Sequence, residues 1–259
     1  MNFELLKLHI MLLADGGIVE RKRTYKIYLT NNSEILQEIF KMSARKIFKI
    51  KHFIRDDSRG TPQVIFHSKN AARELFKLSP SYRTLKHANG SFPPAKLTQT
   101  VFKIPLKRQK ELLQLLFSLE GSISVTFQKR KEKTQILPRI KLACKHPTLQ
   151  KQFFMWLQRL GFQPTREKEG IYLRKLTDIK KFAKEIGFVK GVKIGGKAKF
   201  FEGVEKNKLL STILWLIKNN KNSLTFNMSK KRIIMLIRKL THGRGEANPL
   251  KARPVRIEG

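Results

Sequence analysis

Cysteine, regularly spaced histidine and long apolar runs are all scarce in this sequence. Cys144 is the single cysteine, so the chain has no internal disulfide and no cysteine-based zinc site. The six histidines do not follow the spacing of metal ligands. No apolar run reaches the ~20 residues that a membrane-spanning helix needs. Because the first predicted helix carries Glu4 and Lys7, it differs from a signal peptide, and we expect an intracellular protein, in the cytoplasm or an organelle.

Acidic residues are also few. The 259 residues include 19 Asp and Glu against 55 Lys and Arg, a formal net charge of +36. Repulsion on this scale is costly unless a polyanion neutralises it. Both halves of the chain are basic, which favours a nucleic acid over an acidic membrane or an acidic protein as the partner. With 41% hydrophobic residues, the chain can still bury a core, as one large or two small domains.

Two of the scarce acids end similar segments. Residues 8–17 (LHIMLLADGG) and 113–121 (LQLLFSLEG) are each an apolar helical run that closes on an acid and a glycine, with Asp15 and Glu120 lying 105 positions apart. A carboxylate at a helix C-terminus opposes the macrodipole, which favours cations there. One such acid is compatible with an ordinary helix end and a glycine cap. The repeat favours a paired site, and the chemistry of two carboxylates favours a divalent metal ion as its occupant.

The order of predicted elements also repeats along the chain. In the first half, periodicity predicts helices over 3–14, 33–45 and 70–78 and strands over 24–30, 48–55 and 63–69. In the second half it predicts helices near 107–119, 148–160 and 178–187 and strands near 122–128, 139–143, 163–168 and 171–176. Two more helices are predicted near 206–219 and 229–241. A repeat of this length is typical of a duplicated domain.

The duplication predicts the domain organisation. Residues 88–104 have the turn chemistry of a linker, with Asn89-Gly90 and Pro93-Pro94. We therefore expect a first lobe over 1–87, the linker over 88–104, a second lobe with extra helices over 105–241, and a basic tail over 242–259.

The two acid-ending segments resemble the paired motifs of the single-chain LAGLIDADG homing endonucleases, whose lobes also have the order αββαββα. The resemblance covers most of the chain. It implies a mixed α+β fold of two pseudo-symmetric lobes, with antiparallel sheets forming a DNA-binding saddle and the motif helices at the lobe interface. It also implies a metal site there, formed by Asp15 and Glu120 together with Ala14 and Leu119, the residues before them.

The same resemblance implies further catalytic side chains. An amide near the end of the second strand of each half corresponds to Asn31 in the first half, whereas Cys144 and Lys145 stand there in the second. A basic residue after the last core helix of each half corresponds to Lys86 in the first half and to Lys193 or Lys197 in the second. For Asn31, an Asx turn leading into the next helix is an equal alternative. For Lys193 and Lys197, a solvated loop charge is the simpler alternative.

The outward faces of the predicted strands are almost purely basic, with polar and aromatic residues between the charges. A solvent-exposed sheet face usually carries both positive and negative side chains, so we favour DNA contact for these faces. Lys and Arg would bind phosphates or guanine, and amide side chains would bind adenine. The candidate DNA-binding residues are Arg21, Arg23, Lys26, Tyr28, Lys49, Lys51, Arg55, Gln63, His67, Gln128, Arg139, Lys141, Tyr172 and Arg174.

These observations predict a monomeric, site-specific homing endonuclease that cuts both strands of a long asymmetric DNA target. Phosphodiester hydrolysis needs a basic water and a stabilised leaving oxygen, and Mg²⁺ serves both. We expect two or three divalent ions shared between the lobes, and the resemblance implies a gene within an intron. Two alternatives stay open: an RNA-binding intron maturase on the same scaffold and a non-enzymatic DNA-binding regulator. Either needs the basic surface but not both acids.

Overall fold

The computed structural model describes residues 2–21, 24–56, 61–195 and 200–242. Over these ranges the chain forms eight α-helices and two antiparallel sheets. None of the helices in the described ranges is both long and apolar enough to span a membrane. The predicted mixed α+β class is confirmed, and the order αββαββα occurs twice along the chain.

The helices and strands follow the chain in two similar sets. The first set is α1 Phe3–Asp15, β1 Gly16–Arg21, β2 Thr24–Thr30, α2 Glu34–Phe48, β3 Ile54–Asp56, β4 Gln63–His67 and α3 Lys69–Phe76. The second set is α4 Leu106–Glu120, β5 Gly121–Arg130, β6 Lys133–Ala143, α5 Pro147–Arg159, β7 Thr165–Glu167, β8 Gly170–Leu173 and α6 Leu176–Glu185. The remaining elements are α7 Lys206–Asn219, β9 Thr225–Phe226 and α8 Lys230–His242.

The chain divides into two compact units. The first comprises Met1–Gly121 and Leu142–Tyr172, and the second comprises Ser122–Lys141 and Leu173–Gly259. The lobe boundaries expected from the sequence, at residues 87 and 104, stay a prediction.

The first unit contains a complete sheet in the order β1–β2–β4–β3. Its buried face carries Ile27, Leu29, Val64 and Phe66, and the Phe66 ring lies 5.7 Å from that of Phe40 on α2. In the same unit β7 pairs with β8, and the end of β6 lies beside β8, where the Cys144 N–H donates to the Glu169 carbonyl over 3.4 Å. Helices α1, α2 and α5 pack against strands of this unit, and α4 packs against α1.

Helix α1 is buried on nearly all sides. Eight consecutive or near-consecutive residues between Leu5 and Leu13 are buried, because the helix contacts α2, α4 and β1. A helix that is apolar around its whole circumference belongs to the interior of a protein. The first motif segment is therefore a central element of the first unit.

Side chains fix the predicted linker, residues 88–104, to this unit. The His146 ring nitrogen Nε2 lies 2.7 Å from the Pro93 carbonyl oxygen, and Gln152 bonds both backbone groups of Leu97. The Thr98 N–H donates to His9 Nε2 over 3.2 Å. Burial lowers the pKa of His9 to about 3, so the ring is neutral and accepts this hydrogen bond.

In the second unit, the segment after α6 adds a strand and two helices. Strand β9 pairs with β6 through Thr134 and Gln135, and the Ile136 N–H donates to the Leu224 carbonyl over 2.8 Å. Helix α7 contacts both α6 and α8. Ile233, Ile234 and Ile237 are the buried apolar residues of α8, so this helix is packed along one face.

Candidate metal and nucleic-acid site

Helices α1 and α4 run in the same direction. They contact one another, and the Arg108 guanidinium lies 4.3 Å from the centre of the Phe3 ring. Phe3 and Arg108 each lie 12 positions before the acid of their helix. At 1.5 Å per residue, both acids are about 18 Å from this contact. The contact at the beginnings of two parallel helices thus brings Asp15 and Glu120 to the same end of the pair.

Each acid is followed directly by a glycine that begins a strand. A side chain at Gly121 would put its Cβ 2.3 Å from the Phe117 carbonyl oxygen, and a side chain at Gly16 would put its Cβ 2.6 Å from the Tyr28 carbonyl oxygen. Both distances are too short for any real Cβ. Glycine is required here because it lets the helix pass into the strand without a loop, which fixes the backbone beside each acid.

We expect Gly121→Ala to lower the free energy of unfolding by about 1–3 kcal/mol, as overpacking against fixed backbone does. Urea unfolding followed by circular dichroism measures this. Gly195→Ala is the matched control because a Cβ there meets nothing within 4 Å. A Gly121→Ala variant as stable as this control would contradict the packing argument.

Asn31 connects the first acid to the adjoining sheet. Its side-chain Nδ2 donates to Asp15 Oδ2 over 2.7 Å, and its Oδ1 accepts from the Ser33 N–H over 2.8 Å. The second bond is that of an Asx turn before α2, and the first places the amide beside Asp15, while a catalytic role of Asn31 stays a prediction. Gln37 on α2 donates to the Asn31 carbonyl over 2.5 Å. The amide is therefore held in place from both sides and points one N–H at the carboxylate.

Cys144 occupies the corresponding position in the second set of elements. Gln150 on α5 donates to the Cys144 carbonyl over 3.0 Å, as Gln37 does to Asn31, and each Gln lies six positions after its partner. Burial raises the pKa of the Cys144 thiol to about 12, with a smaller contribution from the charge of Glu120. The thiol is neutral and near Glu120, but it offers no amide donor.

Lys145, the neighbour of Cys144, is directed to another acid. Its ammonium forms an ion pair with Glu169 over 3.2 Å, and its side chain is 68% exposed. The surroundings of the two acids therefore differ: a hydrogen-bonded amide stands beside Asp15, and a half-buried neutral thiol lies near Glu120.

The donor set is compatible with a hydrated divalent ion. Asp15, Glu120 and the preceding Ala14 and Leu119 are all half-buried, so the two carboxylates are neither sealed in the core nor fully solvated. Within the described ranges no group of three or more His, Cys, Asp and Glu forms a closed metal cage. Mg²⁺ prefers one or two carboxylates with waters and substrate oxygens, and this pair matches that preference.

Of the two lysines expected after the last core helix of the second half, Lys193 lies within the described residues. Lys193 lies in the second unit, is exposed, and forms an isolated β-bridge with Glu205. Lys197 lies outside the described residues. Their catalytic role stays a prediction.

One face of the first sheet carries several candidate DNA contacts. Lys26 and Tyr28 stack with 5.4 Å between ammonium and ring centre, and Lys26 donates to Gln63 Oε1 over 3.4 Å. Gln63 in turn donates to Thr30 Oγ1 over 2.8 Å, while His67 is paired with Lys26 across the strands and is exposed. This face presents a cation, a phenol and an amide in fixed positions. Arg21 ends β1, and Arg23 lies outside the described residues.

The strand predicted over residues 48–55 is wrong for most of its length. Helix α2 continues to Phe48, and Lys49 caps it in the left-handed conformation with φ 53°. Phe53 then packs on Phe66, with 5.8 Å between ring centres, so the chain turns toward the core and strand pairing begins only at Ile54. Lys49 and Lys51 are exposed but do not lie on a strand.

Two further residues do not lie where the alternation predicts. Arg55 pairs with Val64, which is 1% exposed, so Arg55 is on the face opposite Gln63. A shift of one residue in a strand reverses its faces, and Ile54 is the outward residue, 58% exposed. Tyr172 is only 6% exposed, because all four residues of β8 are buried.

The second unit carries the remaining candidates. Arg139 Nε donates to Ser124 Oγ over 2.9 Å, which holds the guanidinium against β5. Arg139, Arg174 and Gln128 line a cavity of about 300 Å³. Lys141 follows Arg139 on the same face of β6 and is half-buried, whereas Gln128 and Arg174 are exposed.

Sequence reasoning did not find Gln37 and Gln150. Their signal is the shared spacing of six residues from Asn31 and Cys144, which is visible only after the two strand ends have been matched. Their side chains hold the strand ends next to the acids, so they are positioning residues.

Comparison with known proteins identifies the fold. Neither a family profile nor a curated protein matches the sequence. Among solved structures, the LAGLIDADG meganuclease I-AabMI bound to uncleaved DNA is similar at a TM-score of 0.54 and 14% identity, covering 95% of this chain and 100% of that one. The meganuclease I-SmaMI bound to uncleaveable DNA is similar at a TM-score of 0.55 and 14% identity, covering 95% of this chain and 97% of that one. The chain thus has the LAGLIDADG meganuclease fold.

Proposed function

We propose that the protein is a site-specific homing endonuclease that makes a double-strand break in DNA with a divalent cation. The observation that supports this most directly is the parallel pair α1 and α4, which ends in Asp15 and Glu120 at one end. The meganucleases of similar fold, I-AabMI and I-SmaMI, are bound to DNA in their structures. The finer proposals are Mg²⁺ as the ion, two or three ions per site, a monomer, and a gene within an intron.

The residues of this chain divide the chemical work. A bound divalent ion would activate the attacking water and stabilise the leaving oxygen. Asp15 and Glu120 would hold it through carboxylate oxygens. Asn31 fixes one oxygen of Asp15, and Gln37 fixes Asn31, so this carboxylate is oriented before substrate binds. The cationic sheet residues would bind phosphates and hold the scissile bonds at the acids.

Break mapping tests this proposal without a known target. The purified chain is incubated with Mg²⁺ and total DNA of the organism that encodes it, and the new DNA ends are sequenced. We expect one or very few sites, each cut on both strands at a constant offset. Only random breaks, or breaks that persist without divalent metal, would overturn the proposal. Binding to intron RNA without DNA breaks would instead identify a maturase, and DNA binding without breaks a regulator.

We also expect DNA binding to weaken steeply with salt. Each neutralised phosphate contributes about 0.9 to the slope of log K against log salt, and we expect roughly six to ten contacts. Fluorescence anisotropy with a duplex of about 30 base pairs measures the slope over a range of KCl concentrations. A slope magnitude below about 3 would contradict an extended footprint on both sheets.

A further inference from the structure

Helix α8 carries positive charge without any acid. Its 13 residues include Lys230, Lys231, Arg232, Arg238 and Lys239 and no Asp or Glu. Its buried residues are Ile233, Ile234, Ile237 and Thr241, which all lie on one side of the helix. Lys231, Arg232, Arg238 and Lys239 are exposed and fall within about one third of the helix circumference at 100° per residue. This cationic face is therefore opposite the packed face.

Other helices neutralise part of their charge internally. Glu38 pairs with Lys41 on α2, Glu74 with Lys77 on α3, and Glu111 with Arg108 on α4. In the part of the chain that the structure describes, α8 takes part in no ion pair of this kind. A face of four cations without a carboxylate is costly to maintain by itself and favours an external anion.

The position of α8 in the second unit is fixed by contacts with the sheet. Strand β9, just before α8, pairs with β6, and the Lys230 ammonium lies 5.7 Å from the Phe127 ring of β5. The β5–β6 turn next to these contacts is exposed and contains Lys129, Arg130, Lys131 and Lys133 with the single acid Glu132. The helix thus extends a cationic region that begins on the sheet.

We propose that α8 is an additional DNA-contact element, which binds backbone phosphates of the duplex beside the second half-site without reading its sequence. The proposal rests on the proposed function for the identity of the polyanion. Lysine and arginine side chains on a helix surface match the spacing and charge of phosphates but carry no fixed base-reading geometry. Met235 is the one large apolar residue on the exposed face, which makes a membrane surface a poor fit.

A sequence-independent contact can be measured on random DNA. The test variant replaces Lys231, Arg232, Arg238 and Lys239 by Ala, and the matched control replaces Lys69, Lys103, Lys107 and Lys151, four exposed lysines of the first unit. Both remove four charges. Binding to a fluorescein-labelled random-sequence duplex of about 40 base pairs is measured by anisotropy over a range of KCl concentrations. We expect the salt slope of the α8 variant to fall by about 2 or more, at about 0.9 per lost contact, and that of the control by less than about 1.

A charge-preserving variant, Lys231→Arg with Lys239→Arg, should bind as the wild type does. Equal salt slopes for the α8 variant and the control would overturn the proposal. The proposal would also be overturned if the α8 variant lost binding to an RNA hairpin while it bound the DNA duplex as the wild type does. Circular dichroism establishes that the α8 variant is folded, and if it is not, Lys231→Ala with Lys239→Ala gives the same comparison with two charges. The binding measurement does not depend on DNA cleavage. A wild-type protein that does not cleave DNA would therefore refute the proposed function, while the salt slopes would still decide the role of α8.

Discussion

Replacing Asp15 by Asn should reduce double-strand cleavage by about 10²- to 10³-fold or more while leaving DNA affinity within roughly threefold of wild type. The amide keeps the size of the side chain but loses the charge that would hold the cation. Glu120→Gln should behave in the same way, because the two acids end parallel helices at the same end. Cleavage of the mapped target in Mg²⁺ and binding in Ca²⁺ give the two quantities separately.

The matched control for these variants is Glu111→Gln. Glu111 is on α4 as Glu120 is, but it pairs with Arg108 near the beginning of the helix and therefore lies far from the proposed site. We expect its cleavage rate to stay within about twofold of wild type, as a surface ion pair of small energetic value allows. An Asp15→Asn or Glu120→Gln variant that cuts at the wild-type rate would show that the acids do not form the metal site.

The helices could be predicted from the sequence because their signals are long. The two motif helices were expected over 3–14 and 107–119 and span Phe3–Asp15 and Leu106–Glu120. Helical periodicity over more than ten residues, closed by an acid and a glycine, has few competing interpretations. The duplicated order of elements followed from these helices and is confirmed by the sheet connections.

The short strands could not be predicted reliably. In residues 48–55, lysines alternate with apolar residues, which is typical of a strand, but Phe48 completes α2 and Phe53 packs on Phe66. Gly16 and Gly17 indicated the end of a helix, but they also begin β1. Glycine is needed at both positions because a side chain there would collide with Tyr28. In both places tertiary packing overrode the local pattern.

The pair of acids was visible in the sequence, but the side chains that position them were not. Gln37 and Gln150 are ordinary polar residues on amphipathic helices, and only the folded chain brings them to the Asn31 and Cys144 carbonyls. Likewise, the ion pair of Lys145 with Glu169 depends on strand pairing between distant residues. Long-range contacts of this kind leave no periodic signal in one sequence.

The unlike surroundings of the two acids should make the two DNA strands break at different rates. Asp15 accepts a hydrogen bond from the Asn31 amide over 2.7 Å, whereas the residue in the corresponding position near Glu120 is Cys144, a neutral, half-buried thiol. One well-placed group contributes up to ~10²-fold in a hydrolytic step. We therefore expect a nicked intermediate to accumulate on supercoiled plasmid carrying the mapped target before linear product forms.

Asn31→Ala should slow one strand by about 10- to 100-fold and the other by less than about threefold, since it removes an amide that orients only Asp15. The rates are measured on duplexes labelled at either 5′ end. Cys144→Ala is the matched control: it changes the corresponding position but removes no amide, so the rate on the strand sensitive to Asn31 should stay within about twofold. Equal strand rates in the wild type, or equal slowing of both strands by Asn31→Ala, would rule out strand-specific roles. The paired carboxylates would then act on both strands as a single shared site, with Asn31 serving only the Asx turn before α2.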